Sequence, residues 1–222
     1  MMGEANENNP ADVALSGGLG AGTYLLLREY ERAEMLAARA LELSEKHQFP
    51  LYAEVSRCFL GWARAWLGRP SEGVALIRQG IAGLAATGTH IPLCTVTLVE
   101  SHALSGAIGD ALATIEQILQ PNRPDANIYR PEAFRLRGEL QTKQGRREAA
   151  EADFRTALTL ARSMGAKAYE LRATMSLARL LASNGRRDEA RSMLAEIYNW
   201  FTEGFDTADL KDAKALRDEL SE

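Results

Sequence analysis

The sequence predicts an all-α fold, five helical hairpins in series closed by a terminal helix. Three observations carry that prediction. Ala, Leu, Glu and Arg dominate a chain of 222 residues with only 7 prolines, a composition that favours helix. A motif recurs along the chain: a breaker or polar turn, a small residue five positions later, then apolar or small residues 4 and 7 further on. The small residues are Ala33, Gly73, Ala111, Ala150 and Ala190, separated by 40, 38, 39 and 40 residues. Glycines stand where the turns between helices should fall, at Gly68, Gly106, Gly145 and Gly185, as helix C-termini favour.

The second helix of each hairpin follows from the spacing. Ala37, Ile77, Ile115, Phe154 and Leu194 lie at +4, and Ala40, Gly80, Ile118, Ala157 and Ile197 at +7. Steps of 4 and 3 put each trio on one helical face. Twelve residues before each small residue stand Ala21, Gly61, Val99, Gly138 and Ala178. Four of these are Gly or Ala, which lets the first helix approach the second closely. Pro50, Pro92 and Pro131 mark starts of first helices. Val99 at a small position and Arg28 in place of a turn glycine make repeats three and one degenerate.

The predicted layout is a polar mobile leader over residues 1–11 and one helical domain over 12–222. Its repeats run over 12–48, 50–88, 90–120, 130–165 and 166–204, with a capping helix over 206–221. "QPNRPDANIYR", residues 120–130, is the proline-rich linker. In "YNWFTEGFDTADLKDA", residues 198–213, Ile197 and Phe201 continue the inward face of the fifth second helix. Gly204 should end that helix with Phe205 over the joint, and Asp206 or Thr207 should cap the next. Leu210, Ala213, Leu216 and Leu220 then form a stripe that seals the stack.

Composition excludes several functions. A net charge of −4 and a pI of about 5.6 supply no basic field for nucleic acid or anionic lipid. No apolar run approaches the roughly 20 residues of a membrane span, and the start has no secretory pattern. Cys58 and Cys94 are the two cysteines, read as buried and structural in a reducing cytoplasm. With His90 and His102 they lack metal-ligand spacing, so no metal and no cofactor are expected. "SGGLGAGT", residues 16–23, has the glycine density of a phosphate-binding loop but no Lys after the last Gly and no preceding strand. It reads as a poorly formed first helix. His47, His90 and His102, placed at helix ends or on a first-helix surface, have no nucleophile at matching phase, so no catalytic residue is assigned.

"LGWARAWLGRPSEGVALIRQGI", residues 60–81, resembles the tetratricopeptide repeat, although the period of 38 to 40 residues exceeds the usual ~34. The resemblance covers roughly residues 12–201 and implies a right-handed superhelix whose first helices line a concave groove for peptides or loops. Carrying that phase across presents Val55, Cys58, Trp62, Trp66, Val96, Glu100 and Leu104, then Arg135, Glu139, Lys143, Arg172, Met175 and Arg179. Trp62 and Trp66 share a face and are either groove anchors or core. Arg135, Arg172 and Arg179 either clamp an acidic partner or are neutralised by Glu100, Glu139, Glu170 and Asp188.

The stretch from Glu170 to Leu220 is also similar to the C-terminal repeat regions of large bacterial signalling proteins. In those, a class III adenylate/guanylate cyclase or winged-helix domain precedes an ATPase domain and the repeats. Nothing in this chain resembles the cyclase or ATPase domains themselves. The resemblance implies a non-catalytic, cytoplasmic interaction and regulatory module that binds a protein or peptide segment, such as an upstream ATPase or cyclase domain. The regulatory end of a class III cyclase and a self-standing scaffold or small-ligand sensor are the alternatives. The uncapped first hairpin adds a homodimer to the partners expected.

Overall fold

A computed structural model describes residues 9–121 and 124–221. The predicted leader lies mostly at residues 1–8, outside the described residues. Among the described residues there are eleven α-helices and one 3₁₀ helix, and the fold is all-α with tetratricopeptide-like hairpins. The chain divides into two compact units, after Thr114.

In the first unit, α1 (Pro10–Leu26) pairs with α2 (Tyr30–Lys46), and α3 (Pro50–Trp66) with α4 (Pro70–Ala86). α5 (Pro92–Leu104) follows, and the division falls within α6 (Ile108–Leu119). Proline opens α1, α3, α4 and α5, where its missing N–H breaks no helical hydrogen bond. Asn9 caps α1 by accepting from the Ala11 amide at 3.0 Å. The helix therefore starts two residues before the predicted boundary and runs unbroken through the glycine-rich stretch. That stretch is not poorly formed, because its glycines are contact points. A Cβ on Gly17 would stand 3.3 Å from Ala40 Cβ, and one on Gly22 would stand 3.0 Å from the Phe59 ring.

Small residues close the second hairpin too. A Cβ on Gly61 would stand 2.6 Å from the Gly73 carbonyl, so the α3 and α4 backbones nearly touch. The turn beyond α3 is a Schellman-type end: Gly68 has φ +85°, and the Arg69 amide donates to the Arg64 carbonyl at 2.9 Å. In the first repeat the left-handed positions fall to Arg28 (φ 64°) and Gln48 (φ 58°) instead of glycine.

The second unit holds the 3₁₀ helix Pro124–Tyr129, α7 (Arg130–Lys143), α8 (Arg147–Ser163), α9 (Lys167–Ser183), α10 (Arg187–Tyr198) and α11 (Ala208–Glu219). The 3₁₀ helix occupies most of the predicted linker; residues 122 and 123 lie outside the described residues. Phe154 is fully buried where α7 offers only Gly138, whose Cβ would stand 2.5 Å from the ring. α11 packs on α9 and α10 through buried Leu210, Ala213, Leu216 and Leu220. Arg187 of α10 caps its C-terminus by donating to the carbonyls of Glu219 and Leu220.

The joint before α11 differs from the expectation in its details. α10 ends at Tyr198, six residues short of Gly204. The Trp200 and Phe201 amides turn back to the Ile197 and Tyr198 carbonyls, so the helix tightens and stops early. Gly204 (φ 76°) serves the following turn, accepting from the Thr207 amide and hydroxyl at 2.9 and 2.7 Å. Thr207 is the N-cap residue, with its hydroxyl engaged there instead of on the α11 amides. Phe205 lies against Tyr198, ring centroids 5.7 Å apart.

Candidate partner-binding face

The first helices of the first unit present one apolar face. Leu26, Trp66 and Leu104 occupy the same position in α1, α3 and α5, and all three are exposed. Leu15, Val55 and Leu93 share another position nearer the helix starts. Leu15 and Leu51 are exposed, and Leu19 reaches 64%. Between α1 and α3 these leucines surround an open apolar pocket of about 300 Å³ with Tyr52, Val55, Phe59 and Ile91. Below it lies Ser56 Oγ, buried and without a hydrogen-bond partner.

Val55, Phe59, Trp62 and Trp66 follow one stripe of α3; the first two line the pocket, and the two indoles lie further along the same helix. The tryptophans divide the two readings between them: Trp62 is 5% exposed and Trp66 38%. Both indole N–H groups donate to Glu100 Oε2, at 2.6 Å from Trp62 and 3.1 Å from Trp66. Trp66 also stacks on Tyr30, with centroids 5.1 Å apart and planes 3° from parallel. Two contacts therefore fix the exposed ring.

Three predicted groove residues lie elsewhere. Cys58, Val96 and Met175 are buried. The Cys58 thiol donates to the Ile77 carbonyl at 3.8 Å, toward α4. The hydrogen bond with Cys94 and burial push the Cys58 thiol up, so it stays protonated. The difference is one of phase: the position beside the small residue of α4 faces the hairpin partner. His102 is buried rather than on a surface, with Arg78 at 3.5 Å and Asp110 at 3.9 Å. Burial and the Arg78 charge hold its imidazole below the usual value. Among the described residues, no three His, Cys, Asp or Glu side chains gather in a metal-holding group.

In the second unit the predicted arginines are largely engaged. Arg135 grips buried Glu132 through Nε at 2.9 Å and Nη2 at 2.5 Å, and Nη1 donates to Glu139. Glu139 also accepts from Ser176 at 2.9 Å. Arg172 donates to Asp209 at 2.6 Å. Burial pushes the Glu132 carboxyl up, but Arg135 and Arg172 together hold it below its ordinary value. Burial likewise lowers the Arg172 guanidinium, and Glu132 and Asp209 more than reverse that. Arg179 is exposed and makes no ion pair among the described residues.

Leu15, Leu19, Leu51 and Tyr30 are not among the predicted groove residues. The repeat arithmetic contains a signal for α1, since Leu26 stands 40 positions before Trp66. The glycine run obscures it. Nothing in the sequence marks Tyr30, which meets Trp66 only through the packing of α2 on α3.

A family model for the tetratricopeptide repeat matches residues 132–164. An uncharacterized protein of Rhizobium meliloti (strain 1021) is 27% identical over 162 residues, which is 71% of this chain and 16% of that protein. The chain thus spans a small part of that relative's length. Among solved structures, the apo quorum sensor NprR from B. thuringiensis has a TM-score of 0.70 at 15% identity, covering 95% of this chain and 60% of NprR. NprR in complex with its cognate peptide NprX has a TM-score of 0.77 at 15% identity, with coverage of 96% and 63%. A thermophilic TPR protein of Thermus thermophilus has a TM-score of 0.65 at 20% identity, with coverage of 94% and 97%. At these identities the likeness is one of fold.

Proposed function

We propose that this chain is a non-catalytic protein-interaction module that binds a partner segment on the α1–α3–α5 face of its first unit. The observation that carries the reading is the exposure of Leu26, Trp66 and Leu104 at one repeat position, beside a pocket lined by Leu15, Leu19 and Leu51. Large apolar side chains kept in solvent on successive elements mark an interaction surface, and Trp is anchor material. A likeness to NprR, solved with its cognate peptide, supports an elongated ligand. No helix of the described residues is long and apolar enough to cross a membrane.

Peptides selected from a displayed 12-residue library on the full chain test this directly. Leu19→Lys with Leu51→Lys should abolish their binding while leaving helicity and melting temperature unchanged. Binding that survives this pair but is lost on Arg179→Glu would overturn the assignment.

The wider context proposed is the regulatory repeat region of a bacterial signal-transduction protein, with a neighbouring ATPase or class III cyclase domain as partner. Its support is the similarity of the segment from Glu170 to Leu220 to such regions and the far longer bacterial relative. Sequencing the reading frame upstream of Met1 tests it: an ATPase or cyclase domain is expected. A stop codon there would favour a self-standing scaffold, and a doubled mass in light scattering would make a second copy the partner.

A further inference from the structure

The pocket between α1 and α3 holds a hydroxyl that the folded chain leaves unpaired. Other buried hydroxyls on these helices turn back on their own backbone. Ser44, Ser101 and Thr174 each donate to the carbonyl four residues earlier, at 2.6, 2.8 and 2.8 Å, the local bond that such side chains favour. Ser56 is 1% exposed, and its Oγ makes no hydrogen bond. The Oγ points from α3 toward α1, 3.5 Å from the place that a Cβ on Gly18 would take. Gly18 and Ser56 both line the pocket, and the bare backbone at Gly18 keeps that side of the hydroxyl clear of a side chain. A buried polar group without a partner lowers stability, and one that faces a pocket recovers the loss when an occupant pairs with it.

The rest of the wall sets the charge and size of that occupant. Among the described residues that line the pocket none is charged, so an ionised group would lose its hydration there without a counter-charge. An apolar cavity of about 150 Å³ admits benzene. The volume of about 300 Å³ here therefore suits about twelve heavy atoms. We propose that the pocket is a binding site for a small neutral molecule of that size, with a compact apolar body and one hydroxyl or carbonyl paired with Ser56 Oγ. A serine hydroxyl can donate or accept, so either group serves. The body lies against Leu15, Leu19, Val55 and Phe59, which line the pocket. This site goes beyond the docking of a partner segment and does not depend on it. Leu15, Leu19 and Leu51 border both, so a ligand in the pocket changes the surface that the segment meets.

Methyl NMR of the full chain, titrated with β-naphthol at neutral pH, tests this. The probe has two fused rings and one neutral hydroxyl. It should shift the methyl resonances of Leu15, Leu19, Leu51, Val55 and Ile91. Ser56→Ala removes the hydroxyl without adding bulk. It should weaken β-naphthol about tenfold, change the binding of naphthalene by less than about twofold, and leave the melting temperature unchanged or raised. β-Naphthoate, the same body with a charge, should bind at least about tenfold more weakly than β-naphthol. Equal binding of β-naphthol to Ser56→Ala and wild type, or shifts confined to methyls outside the pocket, would overturn the site. Displayed peptides that lose binding on Ser56→Ala, while β-naphthol shifts nothing, would give the pocket to a side chain of the partner and overturn it too. Loss of peptide binding alone, with the β-naphthol shifts intact, would overturn the docking face and leave the ligand site standing.

Discussion

The two units build the same hairpins and fill the same repeat positions with opposite chemistry. One position of the first helix holds Leu15, Val55 and Leu93 in the first unit, then Glu132 and Arg172 in the second. Another holds Leu26, Trp66 and Leu104, then Lys143 and Ser183. Those positions lie outside the small-residue contacts that close each hairpin, so folding leaves their chemistry unconstrained. In the second unit the first of these positions is charged and engaged: buried Glu132 pairs with half-buried Arg135, which also holds Glu139, and Arg172 pairs with Asp209. In the first they remain apolar, with Leu15, Leu26, Trp66 and Leu104 exposed and Val55 and Leu93 half-buried, a state that contributes little to stability and suits a partner.

That contrast can be broken most forcefully in the core of the second unit. Phe154→Ala leaves a cavity opposite Gly138 and should cost about 4 kcal/mol. Denaturant unfolding should show the Trp200 signal moving to lower midpoint; an unchanged midpoint would mean that the α7–α8 contact is dispensable.

Arg135→Met sharpens the difference in charge. It strands the buried Glu132 carboxylate and should cost about 3 kcal/mol at neutral pH. Glu132 titrates below its ordinary value of 4.5 in the folded chain. Its pairing therefore stabilises the wild type above that value and is lost as pH falls through the folded pKa. The gap between Arg135→Met and wild type should narrow as pH drops below about 4.5, read as converging melting temperatures. A gap independent of pH would show that Arg135 acts by packing alone.

The smallest effect concerns turns. Most hairpin turns place glycine at positive φ, but the first repeat places Gln48 at φ 58°. Gln48→Gly should stabilise the first unit by up to about 1 kcal/mol, measured by the denaturant midpoint of the Trp62 and Trp66 signal. A loss of stability would mean that the Gln48 side chain contributes more than its backbone strain costs.

Repeat number, hairpin turns and most of the core are legible in the sequence because small residues, turn glycines and apolar steps of 4 and 3 are local signals. The C-terminal stripe of Leu210, Ala213, Leu216 and Leu220 is legible for the same reason. The candidate face is legible only in part. Trp66, Glu100 and Leu104 stand at groove phase, whereas Cys58 shares that phase and faces α4. Helical periodicity gives a residue's angle to within a broad arc, and whether a neighbouring helix covers that arc depends on packing.

The sequence by itself determined that this chain is a series of helical hairpins, since each hairpin is specified by contacts close along the chain. Only the tertiary structure decided which side chains stay open to a partner. Trp62 is enclosed and Trp66 is not, although one turn of α3 separates them. Glu100 lies 38 positions from Trp62, yet its carboxylate orders both indoles. Exposure and pairing between helices depend on distances across the fold, which spacing along the chain does not encode.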